Sequence, residues 1–245
     1  MSRFMSCFLS SAASRFSTLL LSGWLVIFSN IATAQTAPKE LQQLELLSYQ
    51  LSSSFGAFIY FEGQQEYLQK AKQNLADGRQ ILTTLKGQHP QVDKLWQQAE
   101  QFIEDNTNRS FEGVDMTLEA SWGLLTIQLQ DAIADLTLLK YSNQAMALQS
   151  ELEQILALYI KFANSTVGGY GVSRSDKSIE KRVEDVQQQI DQHFADDKRL
   201  QRKWGYIKRT VLAYNSNTAP YIVMKVFDDM RAILRSERYQ QIAAD

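Results

Sequence analysis

The chain has 245 residues, with 25 basic and 27 acidic side chains and a net charge of −2. That balance excludes general nucleic-acid binding, which depends on a strong basic excess. Three prolines, eleven glycines and an abundance of Gln, Leu, Ala, Glu and Lys predict an all-α protein.

The first 34 residues differ from the rest. Arg3 and Arg15 supply positive charge, and no acidic residue occurs among them. An apolar stretch follows, and Ala32-Thr33-Ala34 closes it with small residues. This order predicts a signal peptide over residues 1–34, cleaved after Ala34, and a periplasmic or secreted chain. The rival reading is a retained anchor, but the apolar stretch from Thr18 to Ile31 is about 14 residues, short of the ~20 a spanning helix needs. Cys7, the single cysteine, lies inside this segment, so the mature chain is expected to lack disulfides, thiolate nucleophiles and Cys metal sites. Removing Arg3 and Arg15 from the 25 basic residues leaves 23 against 27 acidic ones, a net charge of −4.

Eight apolar stripes with helical spacing follow in chain order. Leu41, Leu44, Leu47, Leu51, Phe55 and Phe58 form the first, and Leu68, Ala71, Leu75, Gly78, Leu82 and Leu85 the second. Pro90 opens a third, with Val92, Leu95, Trp96, Ala99, Phe102 and Ile103. Asp105 to Asn108 should end that helix, because short polar side chains compete for backbone hydrogen bonds. The fourth stripe runs from Leu118 through Trp122, Leu129 and Leu136 to Leu139. No strong breaker separates Leu136 from Leu152, which predicts a long connecting helix. Leu148, Leu152, Ile155, Tyr159 and Phe162 make the fifth stripe. Gly168-Gly169-Tyr170-Gly171 is the one glycine-rich loop, with Ser175 or Asp176 able to cap the next helix. Ile179, Val183, Val186, Ile190 and Phe194 are the sixth stripe, and Leu200, Trp204, Ile207 and Val211 the seventh. Thr218 and Pro220 suit the start of the last helix, which carries Val223, Phe227, Met230 and Leu234.

A shift of 108 residues lays the first four stripes on the last four without gaps. Leu44 meets Leu152, Leu75 meets Val183, and Trp96 meets Trp204. The tryptophan match is the most specific, since tryptophan is scarce in this chain. The expected architecture is an antiparallel helical bundle, as two tandem four-helix bundles over residues 38–140 and 141–245. The competing explanation is that any two periodic helical patterns can be slid into phase.

From Leu44 to about Phe102 the layout is a long first helix, then Tyr67-Leu68 with Ala71 and Leu75, then the Pro90 break and Trp96. This stretch resembles the extracytoplasmic helical-bundle sensory domain of type IV pilus-associated chemotaxis transducers and nitrate sensors. The resemblance implies a ligand-sensing bundle outside the inner membrane. That family carries an arginine-containing ligand motif in its first helix. The corresponding Ser48-Tyr49-Gln50-Leu51-Ser52-Ser53-Ser54 has no arginine, so nitrate binding is not carried over.

Catalytic motifs are few. Glu-x-x-His pairs, Gly-x-Ser-x-Gly elbows and phosphate-cradling glycine loops do not occur. His89 and His193 are the only histidines, too few for ordinary zinc sites. No metal or cofactor is expected, and the chain reads as a non-enzyme. Two surfaces remain. Ser48, Ser52, Phe55 and Trp96 are candidate ligand-binding residues, because a serine run meets a wide aromatic stripe. Arg199, Arg202, Lys203, Tyr206 and Arg209 are candidate partner-binding residues, as a basic stripe opposite the apolar face of its helix. Charge runs of this kind are usually solvated faces. The sequence thus points to an exported, soluble bundle that binds a ligand or a partner, such as an envelope or inner-membrane protein. The alternative is a structural or chaperone-like envelope protein without a small-molecule ligand.

Overall fold

The computed structural model describes residues 39–108, 116–136, 141, 143–165, 177–236 and 239. They form eight helices and no strands. In chain order these are α1 (Lys39–Tyr60), α2 (Gln65–Thr84), α3 (Pro90–Asn106), α4 (Met116–Ala134), α5 (Gln144–Asn164), α6 (Ile179–His193), α7 (Lys198–Leu212) and α8 (Pro220–Leu234). Each carries one of the eight predicted stripes.

Local chemistry explains the helix ends. Gly63 adopts φ +86°, and its N–H reaches back to Phe58 O at 2.9 Å, closing α1. Asn143 caps α5 by accepting from Met146 N–H at 2.7 Å. That cap corrects the expectation of a continuous helix from Leu136 to Leu152. Leu136 lies beyond the end of α4 and is 39% exposed rather than part of a buried stripe. Ser178 caps α6, accepting from Lys181 N–H. The predicted caps Ser175 and Asp176, the Gly168–Gly171 loop, Leu139 and the predicted signal segment lie outside the described residues. Asp197 caps α7 with bonds from the N–H groups of Arg199 and Leu200, both 3.0 Å. Pro220 opens α8 as predicted, but the N-cap position is Ala219, one residue past Thr218, and no side chain caps it.

The stripes merge in one hydrophobic cluster that draws on all eight helices. Each fully buried Leu, Phe or Ile in it is worth about 1.5–3 kcal/mol relative to exposure. Trp96 and Trp204 are its two largest fully buried side chains. The Trp96 ring packs directly against Gly78, where an added Cβ would sit 1.9 Å from its Cζ2. Its Nε1–H donates to Leu75 O at 3.1 Å. Trp204 instead donates to the side-chain Oε1 of Gln187 at 3.0 Å.

Helix neighbours follow a simple order. In the first half α1 packs on α2 and α4, α2 on α3, and α3 on α4. In the second half α5 packs on α6 and α8, α6 on α7, and α7 on α8. The main link between the halves is α1 against α5. At Gly56 the two helices come so close that a Cβ would stand 2.9 Å from Ile160 Cγ2. Asn164 Nδ2 uses that closeness to donate to Gly56 O at 2.9 Å. All described residues belong to one compact unit. Among them, no helix is long and apolar enough to cross a membrane.

Candidate functional site

The contact between α1 and α5 is polar as well as apolar. Gln42, Ser48, Gln50 and Ser53 of α1 are buried, as are Gln149, Ser150, Glu153 and Gln154 of α5. Buried polar groups are costly unless bonded, and most of these have partners. Glu153, 1% exposed, takes two bonds from Arg231 of α8, at 2.5 Å from Nε and 2.8 Å from Nη2. It also accepts from Gln50 Nε2 at 3.0 Å. Arg231 bonds Asp228 as well, and Asp228 pairs with Lys70 of α2 at 3.3 Å. One network therefore ties α1, α2, α5 and α8 together. Both oxygens of Glu153 are engaged, so this carboxylate serves as a structural acceptor.

A second polar knot lies nearer the N-terminal ends of α1 and α5. The Tyr141 hydroxyl donates to Glu45 Oε2 and lies 2.5 Å from Ser150 Oγ. Burial raises the Glu45 carboxyl above its ordinary range, against the lowering bond from Tyr141. Glu151 pairs with Arg182, itself 2% exposed, at 2.8 Å. Burial likewise raises Glu119 of α4, with Lys161 opposing.

Above these networks the ends of four helices frame a groove of about 750 Å³. α1 contributes Leu46 and Leu47, α2 contributes Asp77 and Ile81, α5 contributes Met146 and Gln149, and α8 ends in Leu234 and Arg235. This volume lies within the range of small-molecule sites. Gln149 is 7% exposed, and its Nε2 has no hydrogen-bond partner among the described residues. Arg235 holds its proton less firmly than a free guanidinium, because of partial desolvation first and then repulsion from Arg231. A smaller groove of about 460 Å³ lies between α3 and α4, with a rim of Gln and Asp side chains.

The predicted ligand residues fall elsewhere. Ser48 is fully buried and donates to Glu45 O at 2.6 Å within its own helix. Phe55 and Trp96 are fully buried core residues. Phe55 sits in an aromatic group with Phe58, Phe102 and Trp122, at centroid distances of 5.3, 6.1 and 4.8 Å. Ser52 is half-buried, and its carbonyl accepts from Trp122 Nε1 at 3.3 Å. Phe55 thus joins Ser52 through Trp122, while Ser48 and Trp96 make separate contacts. None of the four lines either groove.

On α7, Arg199, Arg202, Tyr206 and Arg209 are exposed, opposite the buried Leu200, Trp204, Ile207 and Val211. Lys203 is drawn sideways to Asp229 of α8, 2.5 Å away. Among the described residues, no group of three or more His, Cys, Asp or Glu side chains is placed to hold a metal ion.

Sequence reasoning missed the groove and the two polar knots. One signal was present: Glu45 and Glu153 are separated by the repeat offset of 108 residues and both interrupt apolar helix faces. Arg231 likewise sits one turn after Phe227, on the inward side of α8. Gln149 and Arg235 carried no comparable mark. Comparison of the chain with protein-family models, with curated proteins and with solved structures found no match.

Proposed function

We propose that this chain is an exported, non-catalytic binding protein, built from two four-helix units and taking a small ligand in the groove at their junction. The observation that carries the reading is the groove itself, to which both halves of the chain contribute and which Gln149 lines, its buried Nε2 unbonded among the described residues. An unmade hydrogen bond of this kind costs about 1–3 kcal/mol, which a bound acceptor would recover.

The duplicated architecture has independent support. The neighbour order within α1–α4 repeats within α5–α8. Asn164 and Gly56, which bond each other, are separated by 108 residues, so matching positions of the two halves meet. Contacts descend along one helix as they ascend along the next, as in Ser54–Asn74 and Phe61–Tyr67 for α1 and α2. That order favours antiparallel packing inside each unit. Between α1 and α5 the contacts rise together, from Gln50–Glu153 to Gly56–Asn164, which favours a parallel junction. A ligand seated at such a junction can bias small helix shifts between two packings, as the resemblance to bundle-type sensory domains would have it. The non-catalytic part rests on the sequence, which carries no recognisable catalytic motif.

The test is a thermal-shift screen of the purified protein against amino acids, oxyanions, nucleobases, aliphatic acids and cell-wall fragments. A ligand that binds only the folded state raises the melting temperature in a concentration-dependent way. A flat response throughout refutes the small-ligand reading. It would favour a structural or chaperone-like role, or docking of an envelope or inner-membrane partner on α7, where Tyr206 is 65% exposed among Arg199, Arg202 and Arg209. Export is tested by sequencing the N-terminus of protein recovered from the envelope, where a start at Gln35 is expected.

A further inference from the structure

We infer that the ligand of the groove between the ends of α1, α2, α5 and α8 is a small organic carboxylate with an apolar body. This rests on the reading of the groove as a binding site and names the chemistry of its occupant.

The floor sets the body of the ligand. Leu46, Leu47 and Leu234 are buried, with Ile81 and Met146 beside them. Aliphatic walls of this kind reward an aliphatic ligand by removing its surface from water. The donors set the head. Gln149 is more than nine-tenths buried and lines the groove, and its Nε2 has no partner among the described residues, so an acceptor is what that nitrogen lacks. Arg235 lines the same groove, and a guanidinium matches a carboxylate in shape and charge. Arg231 stands close enough to repel Arg235, and a bound anion would relieve that repulsion.

The acidic residues of the groove do not reverse this preference. Asp77 already accepts from Gln73 Nε2 at 2.8 Å, and its charge partly offsets Arg235. Glu40 is exposed and adjoins the equally exposed Lys39, so this pair adds no net charge. A cationic ligand would meet the like charge of Arg235.

The probe is decanoate, below its micellar concentration, titrated calorimetrically into the purified protein. Decanol and decylamine match its tail and lack the carboxylate. Saturable binding of decanoate, at least tenfold tighter than either control, is expected. Arg235→Gln and Gln149→Leu are each expected to weaken it tenfold or more. Gln149→Leu removes an unbonded buried donor, so the variant should fold, and its circular dichroism checks this. N-acetyl leucine tripeptides with a free or an amidated terminus separate a peptide carboxylate from a fatty one. Equal affinity for decanol, or decanoate binding unaffected in both variants, overturns the carboxylate inference. If decylamine or another class in the thermal screen binds and decanoate does not, the inference falls while the groove remains a binding site. If nothing binds in either experiment, both fall.

Discussion

Replacing Arg231 by Met should be among the most damaging single changes available in this fold. The side chain is shorter but keeps an unbranched apolar stem, so much of the packing is preserved. What is lost is the partner of Glu153, which is 1% exposed and keeps only the bond from Gln50. Stranding a buried charge in this way costs about 3–5 kcal/mol. In a chain of this size that lowers the melting temperature by roughly 6–20 °C, at roughly 2–4 °C per kcal/mol. Glu153→Met alone should cost less, about 1–3 kcal/mol, because Arg231 still pairs with Asp228 while Gln50 loses its acceptor. The double variant should be about as stable as Glu153→Met, since no charge is then stranded. The cycle is read from urea unfolding followed at 222 nm, with an expected coupling of roughly 2 kcal/mol or more. Additive costs, or an Arg231→Met loss under about 1 kcal/mol, would refute the claim that this network holds α1, α5 and α8 together.

Three further outcomes follow from single sites. Gly78→Ala drives a Cβ to within 1.9 Å of Trp96 Cζ2 and should cost about 1–3 kcal/mol or more, as a fall in the urea midpoint; an unchanged midpoint would mean that the ring has room to move. Burial raises the folded-state Glu45 carboxyl, so the folded protein binds this proton more tightly and stability declines as pH rises from about 4.3 toward the folded value. Glu45→Gln should remove that slope in urea midpoints taken from pH 4 to 7, and parallel curves for parent and variant would count against it. Burial acts to raise Asp197, but bonds from Leu200 N–H, the Tyr239 hydroxyl and Arg199 N–H outweigh it and hold the carboxyl below its usual range. Its stabilisation is therefore present above about pH 3.9 and lost as pH falls through the folded value. Asp197→Ala should cost about 1–2 kcal/mol at neutral pH, with the deficit shrinking in acid, and a pH-independent deficit would contradict the assignment.

The sequence by itself determined the helices and the inward side of each. An apolar residue every third or fourth position admits one local conformation and one buried face, so all eight stripes appear as helices. Pro90 and Pro220 open helices where their missing N–H does no harm. Asn143 carried its capping signal in its own residue type, yet the absence of proline or glycine from Leu136 to Leu152 masked it. Tertiary structure alone decided which faces meet. Periodicity cannot say that α1 lies on α5, and from that contact come Gln50 against Glu153, Asn164 against Gly56, and the buried polar seam. The groove has the same origin. Gln149 and Arg235 are unremarkable as neighbours of their own helices and become a pair of donors only where the ends of α5 and α8 converge. The information for such a site lies in contacts between residues far apart in the chain, which helix packing creates and local pattern does not encode.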